Sequence, residues 1–124
     1  MKIGMTTGCY DLFHFGHANQ INQCKCDFLF VAVASDWLVK VQKGEGRPVD
    51  GEALRRKNVQ NYLESNKIKG QAFITDLLDF NGLEMIDLFF VGEDQRNVRW
   101  NGPKFITKRT PGISTGMLIK KGGH

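Results

Sequence analysis

The strongest constraint on the fold is the apolar run of residues 28–35 (FLFVAVAS), in which only the last residue is polar. Aromatic and β-branched residues in an unbroken run of this length are typical of a strand that is buried on both faces. Residues 2–7 form a second strand candidate that ends at Gly8, and residues 16–23 have the length and mixed polarity of a helix with one exposed face. The order strand, helix, strand in so short a stretch predicts a right-handed parallel βαβ unit.

The remainder of the chain continues this alternation. Residues 40–50 (KVQKGEGRPVD) predict a loop because two glycines and a proline interrupt them, and Asp50 is the predicted N-cap of a helix over residues 51–64. Further strands are predicted at residues 72–75, 87–91 and 105–108, and a last helix at 114–121. The pattern predicts an α/β fold, a Rossmann-like three-layer α/β/α arrangement with a mostly parallel sheet of about five strands. No linker or low-complexity tract divides residues 1–124, which predicts a single domain.

Composition excludes several classes of protein. With 41% apolar and 24% charged residues the chain has the balance of an ordinary globular protein, and its longest apolar stretch is too short to cross a bilayer. The first residues have no signal-peptide pattern and the three cysteines cannot form a disulfide framework, so we expect a cytoplasmic protein. The spacing of Cys24 and Cys26 is one residue short of the usual metal-binding spacing, so no metal site built from protein residues alone is expected.

The net charge of +4 permits nucleic-acid binding but does not require it. Basic residues are not clustered with interleaved aromatic residues, so we expect no nucleic-acid partner. A small polyanion such as a nucleotide fits the charge equally well. Parallel α/β sheets bind ligands at the carboxyl ends of their strands. The unusual residues of this chain collect at such ends, at residues 8–17, 35–36, 92–94 and 109–115.

Two of the three histidines, His14 and His17, lie at the predicted start of the first helix. In a helical first turn, residues three apart share a face, so both imidazoles can point the same way. Gly16 has no Cβ and lets a ligand approach the backbone, while the helix start offers unpaired N–H groups to a phosphate. A surface pair or a packed, hydrogen-bonded pair is the alternative interpretation. The position directly after the first strand favours paired donors that stabilise phosphoryl charge.

A second group of polar residues lies near the other end of the chain, at residues 109–115 (RTPGIST). A helix that begins at Ile113 or Ser114 would present free N–H groups, and the hydroxyls of Ser114 and Thr115 can cap them or donate to phosphate. Arg109 adds a permanently charged, forked donor. A capped surface helix with one solvated arginine is the alternative for any single residue of this run, but not for the run as a whole.

Residues 8–17 (GCYDLFHFGH) resemble the signature G-[TC]-[FY]-D-x-x-H-x-G-H of the cytidylyltransferase-like nucleotidylyltransferases. Residues 109–115 resemble the family's second signature, R-T-x-G-I-S-T, at a separation like that in the small glycerol-3-phosphate cytidylyltransferases. The Cys-Tyr variant of the first signature, followed by residues 18–20 (ANQ), is similar to that of phosphoethanolamine cytidylyltransferases. Residues 43–48 (KGEGRP) instead resemble a flexible loop of heptose-phosphate adenylyltransferases.

The resemblance implies a nucleotidyltransferase that joins CTP to a small phosphorylated alcohol, of the glycerol-3-phosphate or phosphoethanolamine type, to give a CDP-alcohol and pyrophosphate. It also implies Mg²⁺, which travels with the triphosphate, and by analogy a homodimer. The residues that match the family's catalytic positions are His14, His17, Lys43 and Arg109. Those that match nucleotide-binding positions are Gly8, Cys9, Tyr10, Gly16, Asp94, Thr110, Gly112, Ile113, Ser114 and Thr115. The candidates for binding the acceptor are Asp11, Lys40, Arg55 and Arg56.

Two positions depart from the family pattern. Gly116 stands where a further Ser or Thr is usual, and residues 62–66 (YLESN) lack the arginine that cytidylyltransferases carry toward the end of the middle helix. These departures leave the acceptor open and keep two alternatives. One is an adenylyltransferase that uses ATP with a sugar phosphate or FMN, which residues 43–48 favour. The other is a non-catalytic nucleotide-binding module, which the departures themselves favour.

Overall fold

The computed structural model describes residues 1–95 and 97–111 and contains a five-stranded sheet. The strands are β1 (Ile3–Gly8), β2 (Phe28–Ala34), β3 (Gly70–Thr75), β4 (Leu88–Gly92) and β5 (Lys104–Thr107). Their spatial order is β3-β2-β1-β4-β5, and every neighbouring pair is parallel. The predicted Rossmann-like α/β fold with a mostly parallel sheet is therefore confirmed, and each expected strand lies within two residues of its predicted bounds.

Three helices precede β3, and the second of them is missing from the sequence prediction. They are α1 (Phe15–Asn22), α2 (Asp36–Lys43) and α3 (Glu52–Ser65). The predicted loop over residues 40–50 is wrong in its first part, because Lys40 and Lys43 belong to α2. The side chain of Ser35 caps α2 by accepting a hydrogen bond from the backbone N–H of Leu38 at 3.1 Å. None of the described helices is long and apolar enough to cross a membrane, and the predicted helix at 114–121 lies outside the described residues.

The start of α3 also differs from the prediction. Gly51, not Asp50, is the N-cap residue, and no side chain caps this helix. The backbone N–H of Asp50 instead donates to Oδ1 of Asp11 at 2.8 Å. The carboxylate that holds this junction therefore comes from the loop after β1 and not from the helix itself.

Apolar side chains cover both faces of the sheet. Val31 and Ala32, successive residues of β2, have no exposed surface and belong to two different clusters on opposite faces. The first cluster includes Leu63 of α3, and the second includes Phe80 and Trp100 from the chain between β3 and β5. This two-sided burial is the reason why β2 is an unbroken apolar run.

The strand order places a ligand-binding crevice beside β1. The chain leaves β1 toward β2 and β3 on one side, and then returns to β4 and β5 on the other side. The order therefore reverses between β1 and β4, and in open α/β sheets ligands bind outside the carboxyl ends of the strands at such a point. Most of the predicted site residues follow these two strands and β5, and the others follow β2.

Candidate active site

A cavity of about 410 Å³ opens at this crevice. Its walls are the carboxyl ends of β1, β4 and β5, the start of α1, and the chain around the end of α2. The described residues that were proposed from the sequence and that line this cavity are Gly8, Cys9, Tyr10, His14, Gly16, His17, Lys43, Asp94, Arg109 and Thr110. The structure thus brings together residues from both ends of the chain. Of the second motif, Gly112, Ile113, Ser114 and Thr115 lie outside the described residues.

His14 and His17 are joined by reciprocal hydrogen bonds at the start of α1. Nδ1 of His14 accepts from the backbone N–H of Gly16 at 3.0 Å, and Nδ1 of His17 accepts from the backbone N–H of His14 at 3.2 Å. Histidines therefore take the places of the usual Ser and Glu in a capping box. A neutral imidazole that accepts at Nδ1 carries its proton on Nε2, so this network assigns the same tautomer to both rings. Each ring therefore carries an Nε2–H donor, and both rings line the cavity.

Both imidazoles are neutral near pH 7. The two rings stack with their centroids 3.7 Å apart, so a second positive charge would meet the first at contact distance. Burial, followed by the neighbouring His14 and Lys43, lowers the pKa of His17 to about 3. Burial also lowers the pKa of His14. The pair can therefore donate hydrogen bonds to an anion without a change of its own charge.

The low pKa of His17 makes the free energy of unfolding depend on pH. Folded His17 gains a proton only near pH 3, whereas in the unfolded chain it gains one below its ordinary pKa of about 6.5. The unfolded chain binds more protons between these values, so stability should fall by about 2 kcal/mol from this residue as the pH is lowered from 7.5 to 5. Urea unfolding at both pH values checks this. In His17→Asn the loss should be smaller by that amount, and an equal loss in both proteins would contradict a buried, neutral imidazole.

Tyr10 lines the cavity and packs against His17. Its side chain is 2% exposed, and its ring meets that of His17 edge-on with centroids 5.4 Å apart. The phenol donates to Oε1 of Gln20 at 3.3 Å, and burial raises the pKa of Tyr10 far above its usual range, so the phenol stays protonated. A Cβ on Gly8 would lie 3.0 Å from the ring of Tyr10, which explains the glycine at the end of β1. Gly8 and Tyr10 of the first motif therefore determine how the chain turns after β1, while His14 and His17 of the same motif provide the donors.

The far wall of the cavity is formed at the ends of β4 and β5. Nη1 of Arg109 lies 3.3 Å from Oδ2 of Asp94, and the two side chains are 60% and 65% exposed. The backbone N–H of Arg109 donates to Oε1 of Glu93 at 2.7 Å. Because an exposed ion pair contributes little stability, the guanidinium of Arg109 can leave Asp94 for a phosphate at low cost.

Helix α1 is bonded directly to this far wall. Nδ2 of Asn19 donates to Oγ1 of Thr110 at 2.8 Å. The amide of Gln23 pairs with the backbone of Lys108, since its Nε2 donates to the carbonyl at 3.0 Å and its Oε1 accepts from the N–H at 2.8 Å. The helix that carries the two histidines therefore also positions the start of the second motif.

The near wall carries two further cations. Lys43, the last residue of α2, lines the cavity together with Arg47 from the loop that follows. Lys40 is exposed one turn earlier on α2 and is not part of the cavity wall. Arg47 is missing from the residues proposed from the sequence. Its position inside residues 43–48, the segment that resembles a family loop, is a signal that could have indicated it; of this segment, the sequence prediction includes Lys43 alone.

The structure does not place Arg55 or Arg56 on the cavity. Arg55 has no exposed surface, and its Nη1 donates to the carbonyls of Cys9 at 2.8 Å and Ala34 at 2.6 Å. Nη2 of Arg55 contacts Oδ1 of Asp36 at 2.8 Å. The predicted contact of Arg55 with the acceptor is therefore corrected to a structural role, because every one of these bonds is made inside the protein. Arg56 is half-buried on the same helix.

Asp11 is likewise buried behind the cavity and does not line it. Its Oδ2 accepts from the backbone N–H of Val49 at 2.8 Å, and its Oδ1 accepts from that of Asp50 at 2.8 Å. Nε of Arg47 lies 3.5 Å from the same Oδ2. Asp11 therefore anchors the loop after α2 to the loop after β1, rather than meeting a substrate directly.

Gln95 is a cavity residue that no sequence motif indicates. Its Oε1 accepts from the backbone N–H of Gly92 at 2.7 Å, and its Nε2 donates to the carbonyl of Thr7 at 2.7 Å. The side chain thus bridges the carboxyl ends of β4 and β1 on either side of the crevice. A glutamine outside a recognised motif offers no signal for such a role.

Comparison with protein families decides the relationship. The model of a family described as cytidylyltransferase-like matches residues 5–115, a span that includes both motifs. This chain belongs to the cytidylyltransferase-like family. A solved structure of the lipopolysaccharide core biosynthesis protein from Thermoplasma volcanium GSS1 shares the fold of this family member, with a TM-score of 0.60 and 21% identity. The alignment covers 89% of this chain and 97% of that one.

The curated relatives of this cytidylyltransferase-like chain are longer proteins. The chain is 31% identical over 134 residues to the bifunctional protein HldE of Nitrobacter winogradskyi, an alignment that covers 99% of this chain and 27% of the relative. The bifunctional protein HldE of Granulibacter bethesdensis is 32% identical over 132 residues, with coverage of 98% and 27%. The chain therefore corresponds to a minor part of these relatives.

The cavity of this cytidylyltransferase-like chain is equipped for a polyanion. Two neutral imidazole donors line it together with Lys43 and Arg47 of the near wall and Lys108 and Arg109 of the far wall, where Glu93 and Asp94 accompany the two cations. Among the residues that the structure describes, no group of three or more His, Cys, Asp or Glu could hold a metal ion. The arrangement can therefore bind and stabilise phosphoryl groups with its own donors and cations.

Proposed function

We propose that the chain transfers a nucleotidyl group from a nucleoside triphosphate to the phosphate of a small phosphorylated acceptor, with release of pyrophosphate. The observation that carries the proposal is the pair of neutral histidines, held by their own capping box in a cavity whose walls also carry Lys43, Arg47, Lys108 and Arg109. Membership of the cytidylyltransferase-like family supports the same class of reaction.

The chemistry of the site agrees with an in-line displacement. An oxygen of the acceptor phosphate attacks the α-phosphorus, the bond from that phosphorus to the α–β bridging oxygen breaks, and pyrophosphate leaves with the electron pair. The attacking oxygen already carries negative charge, so no residue needs to remove a proton. The Nε2–H groups of His14 and His17 would donate to the non-bridging α-phosphate oxygens, where fixed donors stabilise the transition state. Neutral imidazoles suit this role because it requires no proton exchange.

Magnesium belongs to this proposal because a triphosphate normally binds it. When bound, the ion would neutralise charge on the triphosphate and on the leaving pyrophosphate. Glu93 and Asp94 are the carboxylates on the cavity wall, and both contact Arg109. The phosphates would therefore supply most ligands to the ion.

Two donor and acceptor pairs fit the site. CTP with a phosphorylated alcohol is supported by the resemblance of both motifs, and by Asp94, whose exposed carboxylate can accept from the amino group of cytosine. ATP with a sugar phosphate is supported by the resemblance of residues 43–48. From this segment both Lys43 and Arg47 line the cavity.

Pyrophosphate release tests the reaction and separates the two pairs. Each of CTP, ATP, GTP and UTP is incubated with Mg²⁺ and with glycerol-3-phosphate, phosphoethanolamine, hexose and heptose 1-phosphates, or FMN. We expect release that requires both a triphosphate and an acceptor, with CTP or ATP as the preferred donor. His17→Asn protein, purified in the same way, controls for contaminating enzymes. Triphosphate binding without release under all conditions would favour the non-catalytic module instead.

A further inference from the structure

We propose that Arg47 binds the phosphate of the acceptor, and that the acceptor is therefore recognised through a phosphate dianion held at the near wall. This inference rests on the proposed nucleotidyl transfer and assigns one end of its substrate-binding cavity. Neither the sequence motifs nor the comparisons select this residue.

The first argument is the state of the Arg47 side chain. It follows three exposed residues, 44–46, yet its own side chain is only 19% exposed and lines the cavity. Its Nε is buried and has no hydrogen-bond partner among the described residues. The nearest anion is Oδ2 of Asp11 at 3.5 Å, and that oxygen already accepts from the backbone N–H of Val49. The carboxylate of Asp11 therefore holds the buried Nε, and Arg47 stays on the cavity wall as a positioned cation.

The second argument is the separation of the two cationic walls. Lys43 and Arg47 follow β2 in the chain, whereas Lys108 and Arg109 follow β5, and the order of the sheet places β1 and β4 between them. In an in-line displacement, the attacking phosphate and the leaving pyrophosphate lie on opposite sides of the α-phosphorus. Two anions on opposite sides require two separate groups of cations. Arg109 and Thr110 of the far wall match catalytic and nucleotide-binding positions of the family, so we place the pyrophosphate of the nucleotide there. The near wall then receives the acceptor.

The third argument divides the near wall between its two cations. Lys43 and Arg47 both line the cavity, Lys43 with a single ammonium group and Arg47 with a guanidinium. A guanidinium is the better partner for a terminal phosphate, because its fork donates two parallel hydrogen bonds. Of the two arginines expected from the sequence to do this, Arg55 is fully engaged inside the fold and Arg56 does not line the cavity.

Steady-state kinetics of Arg47→Gln and Arg47→Lys test the assignment. For Arg47→Gln we expect the KM of the best acceptor found to rise by roughly 30- to 100-fold, with the KM of the triphosphate changed by less than about threefold. Arg47→Lys keeps the charge beside Asp11 but loses the fork, so it should recover only part of the loss. Lys57→Gln removes one exposed charge on α3 away from the cavity and serves as the matched control. A rise in the KM of the triphosphate instead, or no change in either KM, would overturn the proposal.

A binding measurement keeps the test independent of turnover. Inorganic phosphate is titrated into the ¹⁵N-labelled full chain while the backbone amides of residues 44–50 and 107–110 are followed by NMR. In the wild type we expect saturable shifts in both groups, and in Arg47→Gln a loss of the shifts in residues 44–50 alone. Unchanged shifts at 44–50 in the variant, or none there in the wild type, would refute the assignment even if nucleotidyl transfer is established. Loss of these shifts in a chain that releases no pyrophosphate would support the phosphate site and refute only the proposed reaction.

Discussion

His17→Asn is expected to lower kcat by roughly 10² to 10³, the usual effect of losing one fixed donor to a transition state, while the chain stays folded. The reason lies in the two ring nitrogens. Oδ1 of an asparagine can take the place of Nδ1 and accept from the backbone N–H of His14, which keeps the cap of α1. The asparagine has no atom at the position of Nε2, so the donor that faces the cavity is lost. Pyrophosphate release under saturating substrates measures kcat. Thermal unfolding, compared with that of the wild type, shows whether the stability that the cap of α1 provides is retained.

His17→Gln is the matched variant, because its expected effects are the opposite of those of His17→Asn: the donor to the cavity is kept and the cap of α1 is lost. Its amide nitrogen can reach the position of Nε2 and donate to the cavity, but it leaves the N–H of His14 without its acceptor. We therefore expect Gln to retain more of kcat and to lose more stability than Asn, by about 1 kcal/mol for one helix cap. A kcat of His17→Asn close to that of the wild type would remove this imidazole from the reaction.

The strands could be predicted from the sequence because each is an uninterrupted apolar run, as burial on both faces requires. Helix α2 was not predicted, although its charged residues Asp36, Lys40 and Lys43 recur at helical spacing, because its apolar residues are found both on the buried and on the exposed side. Trp37 and Val41 are 62% and 64% exposed, whereas Leu38 and Val39 are buried. Because two of these four apolar residues are exposed, apolar character alone does not show which face of the helix packs against the protein. Only the cap at Ser35 marks the start of this helix.

The site could be predicted where its residues belong to motifs, and not where their roles depend on tertiary packing. The motif alone located His14 and His17, but their shared tautomer follows only from the hydrogen bonds of the cap. Arg47 and Arg55 flank the same junction in the sequence, and nothing in their neighbours tells which one points into the cavity. The structure separates them, since Arg55 contacts two backbone carbonyls at strand ends while Arg47 lines the cavity.

The two motifs are linked by side chains that neither motif contains. Asn19 and Gln23 follow His17 by two and six residues, and both bond to the chain after β5. A displacement of α1 would therefore move the histidines and the far wall together. This linkage gives the cavity a fixed width between its donors and Arg109, which an in-line reaction requires.

Arg55→Met is expected to lower the free energy of unfolding by about 3 to 5 kcal/mol, since it removes the buried partner of an ion pair and of several carbonyls. Nε of Arg55 donates to the carbonyl of Asp50 at 2.9 Å, and its Nη1 serves the carbonyls of Cys9 and Ala34. Methionine fills much of the same volume and suits a helix, so the loss reports on these hydrogen bonds rather than on a cavity. Urea unfolding measures the change.

Arg56→Met on the same helix is the control, and we expect it to change stability by less than about 0.5 kcal/mol because Arg56 is half-buried and lies off the cavity. The comparison also decides between the two roles considered for Arg55. A residue that binds the acceptor would raise the KM of the acceptor when replaced and leave the folded state almost as stable. A residue that ties the ends of β1 and β2 to α3 has the opposite signature, a large loss of stability. Kinetics below the unfolding transition should then show an acceptor KM altered no more than the KM of the triphosphate, since the loop after β1 that carries the histidines serves both substrates.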